Sequence, residues 1–182
     1  YLVGGAEENA KKWQEQVNSM WSGGTYKGCK VIFDIDVVWA DHLFDVYNDP
    51  KEMKEHRKMH NELYSGTDDG PFAPRGYNVI LVTHGPTSHP TGNSFVAPPG
   101  DNGEWNELQE AEQMPAHETG HLMGLPEYYI DDDKDGVVDK CTEAKYSGTI
   151  MCNGPNMHQD YIKDVIDITE ANHGDFIRPC NN

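Results

Sequence analysis

The residues best suited to chemistry lie in one run, His117-Glu118-Thr119-Gly120-His121-Leu122-Met123-Gly124-Leu125-Pro126-Glu127. On an α-helix His117 and His121 are one turn apart and project to the same side. Two imidazoles so placed can share one tetrahedral zinc ion. Glu118 sits at the edge of that face, where it can take a proton from an activated water. Gly124 supplies the left-handed backbone that ends a helix and turns the chain. That turn can bring Glu127 back as a third ligand, leaving a fourth position for water. The bland reading is a polar helix face with two solvated histidines. The added glycine and carboxylate make it the weaker one.

This run, with the downstream Ser147-Gly148-Thr149-Ile150-Met151, resembles the metzincin clan of zinc endopeptidases. The wording HETGH-x-x-GLP is most similar to the snapalysin group of small secreted bacterial proteases. The close match spans residues 114–151. The resemblance implies one catalytic zinc, Glu118 as general base and then acid, and Met151 as a methionine turn beneath the ligands. It also implies an edge strand before the zinc helix, around Asn93 to Ala97, able to pair with an extended substrate. The segment from Cys152 to Tyr161 would wall the primed-side pocket, with His158 and Tyr161 as contacts. Two positions depart from the pattern. Glu127 stands where that group has aspartate and the clan more often histidine, so its backbone must lie a methylene further from the metal. Asn153 stands where some metzincins place a tyrosine.

A second informative stretch is Asp131-Asp132-Asp133-Lys134-Asp135-Gly136-Val137-Val138-Asp139. Asp131, Asp133 and Asp135 alternate, Gly136 permits a tight turn, the Val137 carbonyl falls at the seventh place and Asp139 at the ninth. This is the start of an EF-hand-like calcium loop. The twelfth place holds Thr142, with Glu143 adjacent, and no helix pair flanks it. A structural calcium ion is expected; a solvated acidic insertion is the alternative, and the snapalysin group lacks such an insertion.

The chain has 182 residues, enough for one domain with a real core. With 14 Lys plus Arg against 31 Asp plus Glu, the formal charge is −17. That balance argues against nucleic acid or an anionic membrane as partner. No apolar run approaches the roughly 20 residues of a membrane span. Tyr1 is not an initiator methionine, so a processed or excised domain is expected. The four cysteines, Cys29, Cys141, Cys152 and Cys180, fit two disulfides and an oxidising, secreted setting. Of three connectivities, Cys141 with Cys152 and Cys29 with Cys180 is favoured; four buried free thiols are the alternative.

The elements that must position these groups follow from periodicity. Residues 6–21 carry Ala10, Trp13, Val17, Met20 and Trp21 at helical spacing, as for a helix packed on a sheet. Residues 30–39 alternate like a strand with Val31, Phe33, Ile35 and Val37 on one face. Residues 50–64 read as a charged helix whose His56 and His60 flank Arg57 and Lys58, with no adjacent base; they are assigned to the surface. Residues 77–83 are apolar enough for a central strand, and 84–103 read as loop around a short stretch at Ser94 to Ala97, where His84 and His89 take no metal role. The zinc helix covers 116–124, with Pro115 either at its start or kinking an earlier turn. Residues 156–171 form a last amphipathic helix.

Together these imply an α+β fold: a twisted mixed sheet with a backing helix and the active-site helix, then a small irregular C-terminal part with one helix. Residues 1–182 form one catalytic domain, divided into 1–124 and 125–182. The expected function is zinc-dependent endopeptidase acting on a protein or peptide substrate, as a monomer. Alternatives are a gluzincin-like peptidase with a later ligand such as Glu143, and a non-catalytic, calcium-stabilised binding module with a vestigial zinc site.

Overall fold

The computed structural model describes residues 2–3, 7–39, 78–97, 102–109, 113–132 and 138–173. Over these residues the protein is a mixed α+β structure with one four-stranded sheet, two small hairpin sheets and three α-helices. The expected helix with His56 and His60 lies outside the described residues. The chain forms two compact units, Tyr1–Lys12 with Asp36–Gln109, and Trp13–Ile35 with Glu110–Asn182.

The first unit holds the sheet β1 (Leu2–Val3), β4 (Val79–Thr83), β6 (Asn102–Asn106) and β5 (Phe95–Ala97), in that spatial order. β4 is the run of β-branched residues read as a central strand, and it pairs in parallel with β1 and β6. Ile80 and Val82 are buried while Leu81 and Thr83 are half-buried, so one face is wetter than a fully enclosed strand would be.

Strand β6, Asn-Gly-Glu-Trp-Asn, corrects the loop reading of the segment ending at Gly103. Its composition is poor for a strand, but it is laddered on both sides, to β4 and antiparallel to β5. A Cβ at Gly103 would run into the Phe95 carbonyl, so only glycine allows that approach. Glu104, 5 % exposed, is satisfied by the Ser88 N–H at 2.7 Å and hydroxyl at 2.6 Å. Partners elsewhere in the fold therefore override local propensity. β5 is the outermost strand of this order, where the edge strand was expected.

Residues 31–38 also correct an expectation: burial alternates along them, yet among the described residues they form no strand. In the second unit, the Asn18 side chain accepts from the Ile35 N–H at 2.8 Å and donates to its carbonyl at 2.9 Å. One amide thus does for Ile35 what a neighbouring strand would do.

Helix α1 (Glu7–Trp21) was expected to back a sheet. Its Val17 and Trp21 instead share a core with Ala116, Leu125, Tyr128, Ile150 and Met151. After it, β2 (Thr25–Tyr26) and β3 (Cys29–Lys30) form a hairpin through Lys27 and Gly28, both at positive φ. Helix α2 (Met114–Leu122) carries Pro115 in its first turn. The hairpin β7 (Tyr129–Ile130) and β8 (Lys140–Cys141) follows. Helix α3 (Gln159–His173) starts three residues later than expected, because Asn156 is tied to the preceding loop: its N–H bonds the Gly148 carbonyl at 3.1 Å and its carbonyl accepts from Ile150 at 2.9 Å.

Candidate metal centre

Helix α2 ends in a Schellman turn, which is what lets a ligand return to it. The Leu125 N–H bonds the Gly120 carbonyl at 3.0 Å and the Gly124 N–H bonds the His121 carbonyl at 2.9 Å, with Gly124 at φ +92°. Beyond the turn, residues 125–128 run irregularly into β7. Tyr128 is buried among Tyr146 and Tyr161 and donates its hydroxyl to Asp164 at 2.7 Å. That anchor fixes the rotation of the segment.

The two histidines are oriented by backbone carbonyls. The His117 Nδ1 lies 2.8 Å from the Ile150 carbonyl, and the His121 Nδ1 lies 2.8 Å from the Leu125 carbonyl. A carbonyl only accepts, so each Nδ1 carries the proton and each Nε2 presents a lone pair. The two Nε2 atoms are 3.1 Å apart. Glu127 completes the group, one carboxylate oxygen 3.1 Å from His121 Nε2 and the other 3.4 Å from His117 Nε2. Among the described residues, these three form the group that can hold a metal ion. One ligand atom from each of the three lies within 4.8 Å of the others, close enough to share one metal ion.

The electrostatics agree. Partial burial opposes ionisation of Glu127, but hydrogen bonds and charge from His117 and His121 bring its pKa down to about 2. Burial likewise disfavours the His121 imidazolium, yet Glu127, the Leu125 carbonyl and Glu118 outweigh it and raise the pKa. Each group is held in place by an attraction that a cation would replace.

Glu118 is 6 % exposed, beside His117 on α2. Met151 is fully buried with its sulfur against Gly120, where any larger residue would meet it. The Trp21 indole donates to the Ala116 carbonyl at 2.9 Å, tying α1 to the first turn of α2. The Cys141–Cys152 disulfide joins β8 to the residue after Met151. Cys29 is also disulfide-bonded; Cys180, its expected partner, lies outside the described residues.

Other expectations fall differently. Glu143 lies 3.6 Å from Lys145 and outside the ligand group. Tyr161, expected to face substrate, is fully buried with its hydroxyl on Thr149. Of the acidic loop, Asp131 and Asp139 are described, while Asp133, Asp135 and Val137 are not. The loop's ends are closed by the Asp139 N–H on the Ile130 carbonyl at 3.0 Å and by the Asp132 N–H on the Asp139 carboxylate at 2.7 Å. Thr142, at the twelfth place, bonds the Tyr128 carbonyl.

Tyr129 is the residue that sequence reasoning missed. Its ring lies 5.9 Å from that of His117. Burial and the Glu127 and Glu118 carboxylates hold the phenol above its ordinary pKa, so it keeps its proton. The only signal in the sequence was its place two residues after Glu127. No family model, curated protein or solved structure matches the chain. No helix among the described residues is long and apolar enough to cross a membrane.

Proposed function

We propose that this protein is a secreted zinc endopeptidase of the metzincin type. The observation that carries the reading is the convergence of His117, His121 and Glu127, which bring one ligand atom each within 4.8 Å of the others. The reading is further supported by the buried Glu118 next to the first ligand, by Met151 under the helix, and by a disulfide that fits an oxidising setting.

A zinc ion held by the three ligands supplies Lewis acidity to a water and to a peptide carbonyl. Glu118 takes the proton from the attacking water and passes it to the leaving amine. The two backbone carbonyls at the Nδ1 atoms hold both imidazoles in the ligating tautomer throughout. The acidic loop is proposed to bind a structural calcium ion.

The test is paired: metal content by elemental analysis, and cleavage of a protein substrate by wild type and Glu118→Ala. One zinc in both, with cleavage by wild type alone, is the expected result. Zinc without cleavage under any substrate or calcium condition would move the protein to the binding-module reading, and absence of zinc would sink both.

A further inference from the structure

The backbone that aims the Glu127 carboxylate is held at one remove. Among the described residues none bonds the Glu127 main chain, but the next residue is held from both sides. The Tyr128 N–H donates to the Met151 carbonyl at 3.2 Å. The Tyr128 carbonyl accepts from the Thr142 N–H at 2.8 Å and from the Thr142 hydroxyl at 3.2 Å. These two holders adjoin the two half-cystines: Cys152 follows Met151, Cys141 precedes Thr142, and Cys141 is bonded to Cys152. The same strip reaches the first histidine, since the Ile150 carbonyl accepts from His117 Nδ1 at 2.8 Å. One covalent bond therefore closes a ring around the peptide that leads from Glu127 into β7.

We infer that the Cys141–Cys152 disulfide is a redox latch on the metal centre: oxidised, it fixes the Tyr128 peptide and through it the Glu127 ligand, and reduction frees that ligand while the fold remains. This rests on the proposal that His117, His121 and Glu127 bind zinc. The fold outlasts the bond because Tyr128, Tyr146, Tyr161 and Met151 stay packed in the core without it.

Cys152 is buried at 5 % exposure and Cys141 is half-buried, so a dithiol reductant enters at Cys141. Its thiolate bonds the Cys141 sulfur and the Cys152 sulfur leaves, taking up a proton. The second reductant thiol then closes on the first, forming the reductant's own disulfide and releasing Cys141 as a thiol. Two electrons pass to the protein. A chain kept reduced holds the metal loosely, and oxidation completes the site. Groups that orient a ligand typically contribute about 10–100-fold in metal affinity.

The experiment compares the 182-residue chain as oxidised protein and after reduction with dithiothreitol, which is removed without air before metal is added. Zinc affinity is measured by competition with a chromogenic chelator, and the visible spectrum is recorded with cobalt(II) in the site. Reduction is expected to weaken zinc by about 10–100-fold, reversibly, and to move the cobalt spectrum towards that of Glu127→Ala. In Glu127→Ala itself, reduction should change affinity by less than about twofold, since the ligand that the latch serves is gone. Equal losses in both backgrounds, or reduced and oxidised wild type within about twofold of each other, would overturn the inference. If the reduced chain loses its near-ultraviolet circular dichroism, Cys141→Ser/Cys152→Ser takes its place in the same comparison. Unfolding of that variant too would overturn the latch, because the bond would then be holding the fold and not the ligand. A folded wild type that binds no zinc in either redox state would refute the metal site itself, a different result from any of these.

Discussion

The Nε2 atoms of His117 and His121 lie 3.1 Å apart, each ring donating its Nδ1–H to a backbone carbonyl. Two lone pairs aimed at one point repel unless a proton or a cation lies between them. The carboxylate of Glu127 adds a third acceptor to the same point. The arrangement is therefore suited to a positive charge at that point.

Removing one ligand should cost more than removing a group that merely orients one. His121→Ala is expected to weaken zinc binding by more than about 100-fold. In the wild type, zinc at about 100 times its dissociation constant should add about 2.7 kcal/mol to the unfolding free energy. Denaturant titration with and without chelator measures this, and the variant should show no chelator effect.

Gly120→Ala should destabilise the protein, against the usual trend for helices. In an exposed helix the change gains about 1 kcal/mol. Here the new methyl would crowd the Met151 sulfur and lie 3.1 Å from Trp21 Cζ2, both fully buried. Overpacking of about 1–3 kcal/mol should prevail. A lower urea midpoint with an unchanged slope is the expected outcome.

Replacing Cys141 and Cys152 together by serine opens a loop with a sequence separation of 11. The chain-entropy model gives a loss of about 3 kcal/mol. Calorimetry should show this as a lower Tm for the double variant.

Asp160 sets one part of the acid limb. The Lys145 ammonium at 2.7 Å lowers its pKa against a small opposing effect of burial, and Tyr146 adds a hydrogen bond. A carboxyl with a depressed folded pKa stabilises above its unfolded value, about 3.9, and loses that contribution as pH falls through the folded value. Lys145→Met should lower Tm slightly at neutral pH and flatten its drop below about pH 4, so that variant and wild type converge in acid. The effect is small because the carboxylate is 39 % exposed.

The convergence of His117, His121 and Glu127 was legible because its geometry is local: a spacing of four residues on a helix, and a glycine at the helix end that turns the chain back. The disulfide from Cys141 to Cys152 was legible for a similar reason, a short loop. Strand β6 was not, since its five residues carry little β propensity and are held by two neighbours contributed from elsewhere. Residues 31–38 failed in the opposite sense: their alternation is real, but Asn18 satisfies Ile35 where a strand was expected. Tyr129 went unseen because its direction depends on Tyr128 being anchored in the core, a fact of packing.

The register of β1 has a consequence for how the protein is made. Leu2 pairs with Ile80 in parallel, and β4 in turn needs Asn102–Asn106 beside it. Synthesis delivers Leu2 well before Ile80, and the sheet it joins is not complete until Asn102–Asn106 have followed. Pairings this distant in sequence fold slowly, on the millisecond-to-second scale. Strand β1 is therefore made long before it can be secured.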